Sequence, residues 1–345
     1  MKEVLKNYIS SMLFIFIWYI FYTNNAYYNW FLFYDISFIN FEINTLSIFH
    51  ILILIYSLIL IPFYLIEKEK SKARIIIEYI IKKINNRKYN INSEEKNSIL
   101  AWIVKLFFAP LMIIWLSTNL SEITNKVYYW YSEISMISKS FYYFYNNYIF
   151  LTIFKLIIFI DLLFFTIWYL VESKHLWNKI KSVEPTILWW LVALICYPPF
   201  NSAFNNFVWW YSSDFPIFDN LYVHLFFNSI LLISFWIYSW ASISLWLKAS
   251  NLTNRWIVKK WPYKYVRHPA YIAKNISWFI WALPIIILNI NNFNMFNIMI
   301  ILLSLSAWIF IYYLRAITEE RHLEMDPEYI KYKEEVKYKF IPWIY

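Results

Sequence analysis

Long apolar runs alternate with short polar segments along the 345-residue chain. A helix needs about 20 apolar residues to cross the hydrocarbon core of a bilayer, so such runs predict transmembrane helices. We identify eight of them, at about 8–23, 46–66, 98–118, 149–171, 186–203, 224–247, 272–290 and 294–314. The pattern therefore predicts an all-α fold, a polytopic membrane helix bundle with about eight transmembrane helices.

Two of these runs have unusual features. The first follows Lys2 and Lys6 and has the length of a signal peptide, but residues 22–25 form a poor cleavage site. We therefore expect an uncleaved membrane anchor. The fifth contains Pro198 and Pro199. Because two prolines cannot complete helical hydrogen bonds, we expect this run to be kinked or broken.

The loops between the runs alternate in their content of Lys and Arg. The basic loops are 67–97 with nine Lys and Arg residues, 172–185 with three, 248–271 with six and 315–345 with six. The loops that alternate with them contain few: 119–148 has two, and 24–45, 204–223 and 291–293 have none. Cytoplasmic loops carry the excess of basic residues in membrane proteins. We therefore expect an even number of helices, with both termini on the cytoplasmic side of the cytoplasmic (inner) membrane.

Composition agrees with a membrane protein. Charged residues make up 15% of the chain, whereas about 25% is usual in soluble domains. In this setting the net charge of +9 indicates basic cytoplasmic loops rather than a nucleic-acid partner. The only cysteine, Cys196, excludes an intramolecular disulfide, and we expect no metal site.

Some ionisable residues fall inside the apolar runs. Lys105 and Lys155 lie near the ends of their runs, where a lysine can extend its ammonium group to the interface. Asp161 lies near the middle of its run. An acidic residue at that depth is neutral or paired inside the bundle, and it marks a functional site in some proteins.

The densest polar chemistry lies in the loop 251–271. Pro269 suits the first turn of a helix, which makes His268 the N-cap and leaves free N–H groups at the cytoplasmic interface. Tyr263, Tyr265 and Tyr271 add aromatic faces that suit adenine or a sulfonium cation. The alternative interpretation is an interfacial belt of Tyr, Arg and Lys that only anchors the protein.

A second polar cluster follows the eighth run. On a continuous helix Arg315, Glu319 and His322 share one face, and the alternative is a pair of surface ion pairs. Beyond it, Asp326 and Pro327 predict the start of another helix. Its apolar stripe contains Tyr329, Tyr332, Val336 and Phe340. We expect this C-terminal amphipathic helix to lie at the membrane interface and to cover the site.

These two clusters carry a family resemblance. The sequence Trp261-Pro-Tyr-Lys-Tyr-Val-Arg-His-Pro-Ala-Tyr271, then Arg315-Ala-Ile-Thr-Glu-Glu320, then Pro327-Glu-Tyr-Ile-Lys-Tyr332 and Ile341-Pro342, resembles the isoprenylcysteine carboxyl methyltransferases and the related phospholipid methyltransferases. The resemblance covers about residues 246–345. We accordingly divide the chain into a membrane region of about four helices without recognisable function (1–185) and a methyltransferase-like core (186–345), with the cofactor loop 251–271 and the tail 315–345.

The resemblance implies a membrane methyltransferase that uses S-adenosylmethionine. It implies that the cofactor pocket is lined by Val258, Tyr263, His268, Pro269, Ala270 and Tyr271. Glu319 would hydrogen-bond the cofactor, and Arg315 would orient the acceptor, a membrane-associated prenylcysteine-type carboxylate or a lipid. The partners so implied are the bilayer and this acceptor.

Two other functions stay open. The helical architecture also resembles membrane sterol or enone reductases, whose NADPH needs basic contacts that Arg255, Lys259 and Lys260 would provide. A non-enzymatic multi-pass membrane protein such as a transporter would have helices broken near the midplane, and only the run with Pro198 qualifies.

Glycine usage is abnormal. The chain has no Gly and 20 Trp, where about 7% Gly is usual. Trp261 and Trp343 stand where the resembling family has Gly, and Trp256 and Trp281 are further candidates. We hypothesise that many of the tryptophans are glycines whose UGA codons were translated under the wrong code. If so, indoles should crowd around the His268 loop.

Overall fold

A computed structural model describes residues 1–28, 33–134, 140–208, 216–248 and 251–341, without the side chains of 131–133. Trp343 and Pro342, named above, lie outside these residues. Within the described chain, seven helical stretches are long and apolar enough to span a membrane. They are Lys2–Asn24, Thr45–Ile66, Ser93–Trp130, Phe141–Leu170, Leu221–Ser244, Pro269–Asn291 and Met295–Leu323. The all-α polytopic fold is thus confirmed.

The fifth predicted span is broken, as its two prolines predict. In its place are two short helices, Ile187–Leu194 and Phe200–Asn205. The break includes Pro198 and Pro199, as expected, because proline lacks the N–H that helix continuation requires. The count of about eight therefore becomes seven continuous spans and one broken segment among the described residues.

The chain divides into two compact units. The first contains residues 1–125, 165–185 and 253–255, and the second contains 126–164, 186–252 and 256–345. The functional boundary predicted at residue 185 stays a prediction.

The first unit contains the helices α1 (Lys2–Asn24), α2 (Thr45–Ile66) and α3 (Lys72–Asn85), with α1 packing against both others. Polar caps set two of the helix starts, because Asn44 and Ser71 each accept a hydrogen bond from a first-turn N–H. The strands β1 (Asp35–Phe38) and β2 (Phe41–Asn44) form an antiparallel hairpin before α2. Most of the long helix α4 (Ser93–Glu133) also lies in this unit.

One stretch of helix runs through both units. It begins with α5 (Phe141–Phe144), continues as a π-helical turn (Tyr145–Phe150) and ends as α6 (Leu151–Leu170). Residues up to 164 belong to the second unit, and those from 165 belong to the first. In the first unit, the strand β3 (Ser182–Val183) pairs antiparallel with β4 (Thr253–Asn254).

The second unit is built on the helices α7 (Ile187–Leu194), α8 (Phe200–Asn205), α9 (Leu221–Ser244), α10 (Pro269–Asn291), α11 (Met295–Leu323) and α12 (Pro327–Glu335). Helix α10 packs against α9 and α11, and α11 also packs against α7. A 3₁₀ turn, Trp246–Lys248, follows α9. Asn220, Asn294 and Asp326 cap the starts of α9, α11 and α12 with side-chain oxygens.

The C-terminal amphipathic helix α12 starts where the sequence predicts, with Asp326 as N-cap and Pro327 in the first turn. Its apolar stripe lies against protein. Tyr329, Tyr332 and Val336 are buried and pack with half-buried residues that include Tyr263 of the cofactor loop. The tail therefore covers part of the 251–271 loop.

Candidate functional site

The N-terminus of α10 anchors the site. His268 is the N-cap of this helix and Pro269 occupies its first turn, as the sequence predicts. The backbone N–H groups of Arg267 and His268 donate to the carbonyls of Tyr338 and Lys339, at 3.0 and 3.1 Å. These bonds fix the start of α10 to the C-terminal tail.

Glu320 holds this junction together. Its carboxylate accepts hydrogen bonds from Arg267 Nε at 2.8 Å and from His268 Nε2 at 3.0 Å, and it forms an ion pair with Lys339 Nζ at 3.2 Å. The residue is only 3% exposed. Because buried charges are stable only when paired, Glu320 and its partners form a closed structural network.

Glu319 lies beside this network but is more open. Its Oε2 accepts a hydrogen bond from the Tyr271 hydroxyl at 2.7 Å and lies 3.9 Å from His268 Nδ1. The Glu319 side chain is 32% exposed, against 4% for Glu320. Glu319 therefore retains acceptor capacity for a ligand.

Arg315 lies one helical turn before Glu319 on α11. Its guanidinium donates to Asn251 Oδ1 at 2.9 Å and stacks on Tyr271 and Tyr312, with Cζ 5.4 and 5.1 Å from the ring centroids. The residue is 5% exposed, and Nε has no hydrogen-bond partner among the described residues. A buried guanidinium donor without an acceptor is costly, which indicates that a ligand completes it.

The remaining predicted residues take different places. His322 lies against the Trp189 ring at 5.4 Å, on α7. The backbone carbonyl of Tyr263 accepts from the Tyr332 hydroxyl at 2.8 Å, and burial raises the pKa of the Tyr263 hydroxyl well above its usual value. Val258 and Ala270 are half-buried.

An open apolar pocket of about 300 Å³ lies beside the cofactor loop. Residues of α9, of the loop, of the start of α10 and of the tail surround it. They are Ile237, Trp261, Pro262, Tyr265, Val266, Pro269, Ile272, Phe340 and Ile341. A pocket of this character suits a hydrocarbon chain.

Sequence reasoning missed Lys274. This residue lies in α10, one turn beyond Ala270, and its Nζ lies 4.6 Å from the centroid of the Tyr238 ring. The signal was present in the sequence, because a lysine inside a predicted span marks a functional candidate.

Asn251 was missed because a neutral amide in a polar loop carries no signal of its own. The structure places its amide between two groups: its side-chain nitrogen donates to the Tyr197 hydroxyl at 3.0 Å, and its oxygen accepts from Arg315. Only folding brings residues 197, 251 and 315 together.

Comparison with known proteins gives one match. No curated protein and no solved structure matches the chain. The model of the isoprenylcysteine carboxyl methyltransferase (ICMT) family matches residues 235–325, the segment that contains α10, α11 and the loop between Lys248 and Pro269. The resemblance drawn from the His268 and Arg315 motifs is thereby confirmed: this segment of the chain is similar to the isoprenylcysteine carboxyl methyltransferase family.

Proposed function

We propose that this protein is an integral-membrane methyltransferase that uses S-adenosylmethionine to methylate a membrane-associated acceptor, of which a prenylcysteine-type carboxylate is the best candidate. The observation that carries the proposal is Arg315. This buried arginine lies beside Glu319 and Tyr271 and has an unpartnered Nε among the described residues. Seven apolar helices and the family match support the membrane setting and the reaction class.

The residues present fit the cofactor. The half-exposed carboxylate of Glu319 can accept hydrogen bonds from hydroxyl or amino groups of the cofactor. The ring face of Tyr271 beside it suits the cationic sulfonium. When bound, S-adenosylmethionine supplies a methyl group already activated by its sulfonium charge. A carboxylate acceptor needs no general base, because it carries no proton to remove.

Catalysis then depends on positioning. Asn251 and the rings of Tyr271 and Tyr312 fix the Arg315 guanidinium, and a fixed guanidinium can hold a carboxylate with two parallel hydrogen bonds. Such alignment of reactants and the exclusion of water provide the rate enhancement. The apolar pocket beside the loop suits the hydrocarbon chain of the acceptor.

The reductase alternative loses two of its three proposed phosphate contacts, Arg255 and Lys259. Arg255 is 2% exposed, and its guanidinium donates to the backbone carbonyls of Trp168, at 2.8 Å, and Asn178. Lys259 forms an ion pair with Glu335 at 2.7 Å. Only Lys260 of the three basic residues is both exposed and outside these contacts.

The test uses the full chain in membranes with labelled S-adenosylmethionine. Wild-type protein should transfer label to a lipid-soluble product that mild base hydrolyses, as expected for a methyl ester.

Arg315→Ala should lower the rate at least about 100-fold, because it removes a charge-assisted hydrogen bond of about 1.5–3 kcal/mol together with alignment. Arg321→Ala, on the same helix, is the matched control and should retain activity. Equal rates for Arg315→Ala and wild type would contradict the assignment.

The orientation is also a proposal. The basic loops support a cytoplasmic location for both termini and for the site in the second unit. Cysteine-accessibility labelling at positions 260 and 330 tests it, and both positions should react only with reagents added on the cytoplasmic side.

A further inference from the structure

Two cations approach the same ring in the second unit. Lys274 Nζ lies 5.6 Å from the Tyr312 centroid, and Arg315 Cζ lies 5.1 Å from it. On its other side Lys274 lies over the Tyr238 ring at 4.6 Å. In the part of the chain that the structure describes, the Lys274 ammonium forms no hydrogen bond or ion pair and lies over these two rings.

An acidic residue lies next to this pair without neutralising it directly. Asp161 of α6 is 4% exposed, and the hydroxyls of Ser242 and Tyr238 lie near its carboxylate. Its Oδ1 has no hydrogen-bond partner among the described residues. Lys274 therefore interacts electrostatically with both Asp161 and Arg315 but touches neither.

This arrangement is unfavourable without a ligand. Two like charges on membrane-spanning helices repel each other in a medium of low dielectric constant, and each carries hydrogen-bond donors that need acceptors. One anion between Lys274 Nζ and Arg315 Nε would supply acceptors to both.

We propose that Lys274 and Arg315 together bind the carboxylate of the methyl acceptor, and that Lys274 is the residue that selects an anionic acceptor. This inference rests on the proposed function. Lys274 lies six residues beyond His268, about 9 Å further along α10. Glu319 and Tyr271 lie on the side of the His268 loop, where the cofactor is proposed to bind. The Arg315 Nε, which has no hydrogen-bond partner among the described residues, is thus left for the acceptor.

The experiment compares Lys274→Met with wild type and with two controls. Lys274→Arg keeps the charge, and Lys155→Met removes a lysine of the same unit that lies outside this cluster. The probe is an N-acetyl-S-prenylcysteine, and its uncharged carboxamide is the matched ligand. Binding of each probe and of S-adenosylmethionine is measured separately, without turnover, and KM and kcat follow for the carboxylate probe.

Lys274→Met should weaken carboxylate binding and raise its KM about 10- to 100-fold, the loss expected for one charge-assisted hydrogen bond. It should leave the affinities for the carboxamide and for the cofactor within about threefold of the wild-type values, since neither ligand uses the lysine charge. Lys274→Arg and Lys155→Met should behave like wild type. Unchanged preference for the carboxylate in Lys274→Met, or a loss confined to cofactor affinity, would overturn the inference. Failure of wild type to bind S-adenosylmethionine would instead refute the proposed function, and the probe-binding arm would still test the anion site.

Backbone geometry carries a second inference. Four non-glycine residues of the described chain have positive φ, and two of them are tryptophans: Trp177 at 55° and Trp246 at 50°. The other two are Leu252 and Phe293. Trp246 directly follows the C-cap of α9, Leu245, whose N–H closes the helix. That position is where a left-handed residue ends a helix and where glycine is strongly preferred.

We infer that residues 177 and 246 are glycines in the native protein, encoded by UGA. A residue with a β-carbon in this conformation is unfavourable by about 1–2 kcal/mol, and glycine avoids this cost. Both indoles are largely exposed, at 61% and 57%. Trp261 lies 5.7 and 5.6 Å from the rings of Trp236 and Trp240, a usual spacing for aromatic pairs, so crowding of indoles around the cofactor loop stays a prediction.

Peptide mass spectrometry of the native protein decides the question at residue 177. Trypsin releases the short peptide 175–179, which contains residue 177 as its only tryptophan position. Peptides 256–259 and 261–264 report on Trp256 and Trp261 in the same digest. We expect the glycine mass at 177 and a UGA codon at 246. A tryptophan mass in peptide 175–179, or a UGG codon at 246, would overturn the inference for that position.

Discussion

The two units each contain a cluster of buried charges, and the clusters differ in how those charges are matched. In the first unit Glu172 binds Lys72 and Lys105, the latter at 3.0 Å, and all three side chains are at most 13% exposed. In the second unit Lys274 and Arg315 both approach the Tyr312 ring, and among the described residues neither forms an ion pair with an acidic side chain.

The difference separates structure from function. A closed cluster gains nothing from a ligand, and its charges serve to hold the loop after α6 against α3 and α4. An open cluster leaves buried donors without acceptors, which supports the anion site proposed at Lys274 and Arg315. Residue types alone do not distinguish the two, since both contain lysine, arginine or a carboxylate on apolar helices.

The largest expected effect concerns the closed cluster. Glu172→Gln leaves Lys72 and Lys105 buried without their anion, and breaking such a pair costs about 3–5 kcal/mol. We expect a large fall in thermal stability in detergent, with unchanged S-adenosylmethionine affinity in the protein that remains folded. Glu94→Gln, an exposed position of α4, is the control. A melting temperature equal to wild type would show that the cluster contributes no stability.

Adjacent glutamates sharpen the comparison inside the site. Glu319→Gln should reduce S-adenosylmethionine affinity about 10- to 100-fold with little change in melting temperature, since the open carboxylate would lose one charge-assisted hydrogen bond to the cofactor. Glu320→Gln should instead lower stability by about 3 kcal/mol, because Arg267 and Lys339 would lose their buried partner. Binding isotherms and thermal unfolding of the two variants provide the measurement. The reverse pattern would exchange the roles assigned to the two residues.

A smaller effect is expected from pH. Burial acts to raise the pKa of Glu172, but the charges of Lys105, Lys72 and Arg255 outweigh it and hold the pKa well below its usual range. The ion pairs therefore stabilise the folded protein above the unfolded-state pKa of about 4.3 and lose this contribution as pH falls towards the folded-state pKa. The stability difference between wild type and Glu172→Gln should be constant from about pH 7 to 5 and shrink below about pH 4. A difference that shrinks already between pH 7 and 5 would contradict the lowered pKa.

The smallest perturbation tests topology. Reporter fusions after residues 90 and 330 should both report the cytoplasm, because the basic loops predict it. With seven continuous spans, this result requires the broken segment of α7 and α8 to cross the membrane as an eighth span. If the two reporters lay on opposite sides of the membrane, the segment of α7 and α8 would enter and leave the membrane on the same side.

The sequence by itself determined the membrane fold, most of the spans and the motif residues. Hydropathy runs report directly on which segments partition into lipid, so the positions of α2, α9 and α11 followed from composition. The His268–Pro269 helix start followed from local backbone chemistry, because a proline prefers the first turn. The break in the fifth segment was visible in its two prolines, but the ends of the two short helices on either side were not.

Only the tertiary structure decided which charges are satisfied. Arg255 and Arg315 are alike in sequence, yet one binds backbone carbonyls and the other retains an unpartnered Nε among the described residues. The adjacent motif residues Glu319 and Glu320 differ in the same way, because the Glu319 carboxylate is partly exposed and the Glu320 carboxylate is buried and paired. The role proposed for Lys274 depends on its contact with Tyr312, which lies 38 positions away along the chain. Pairing of charges depends on side chains brought together from distant helices, and no local pattern in the sequence encodes those distances.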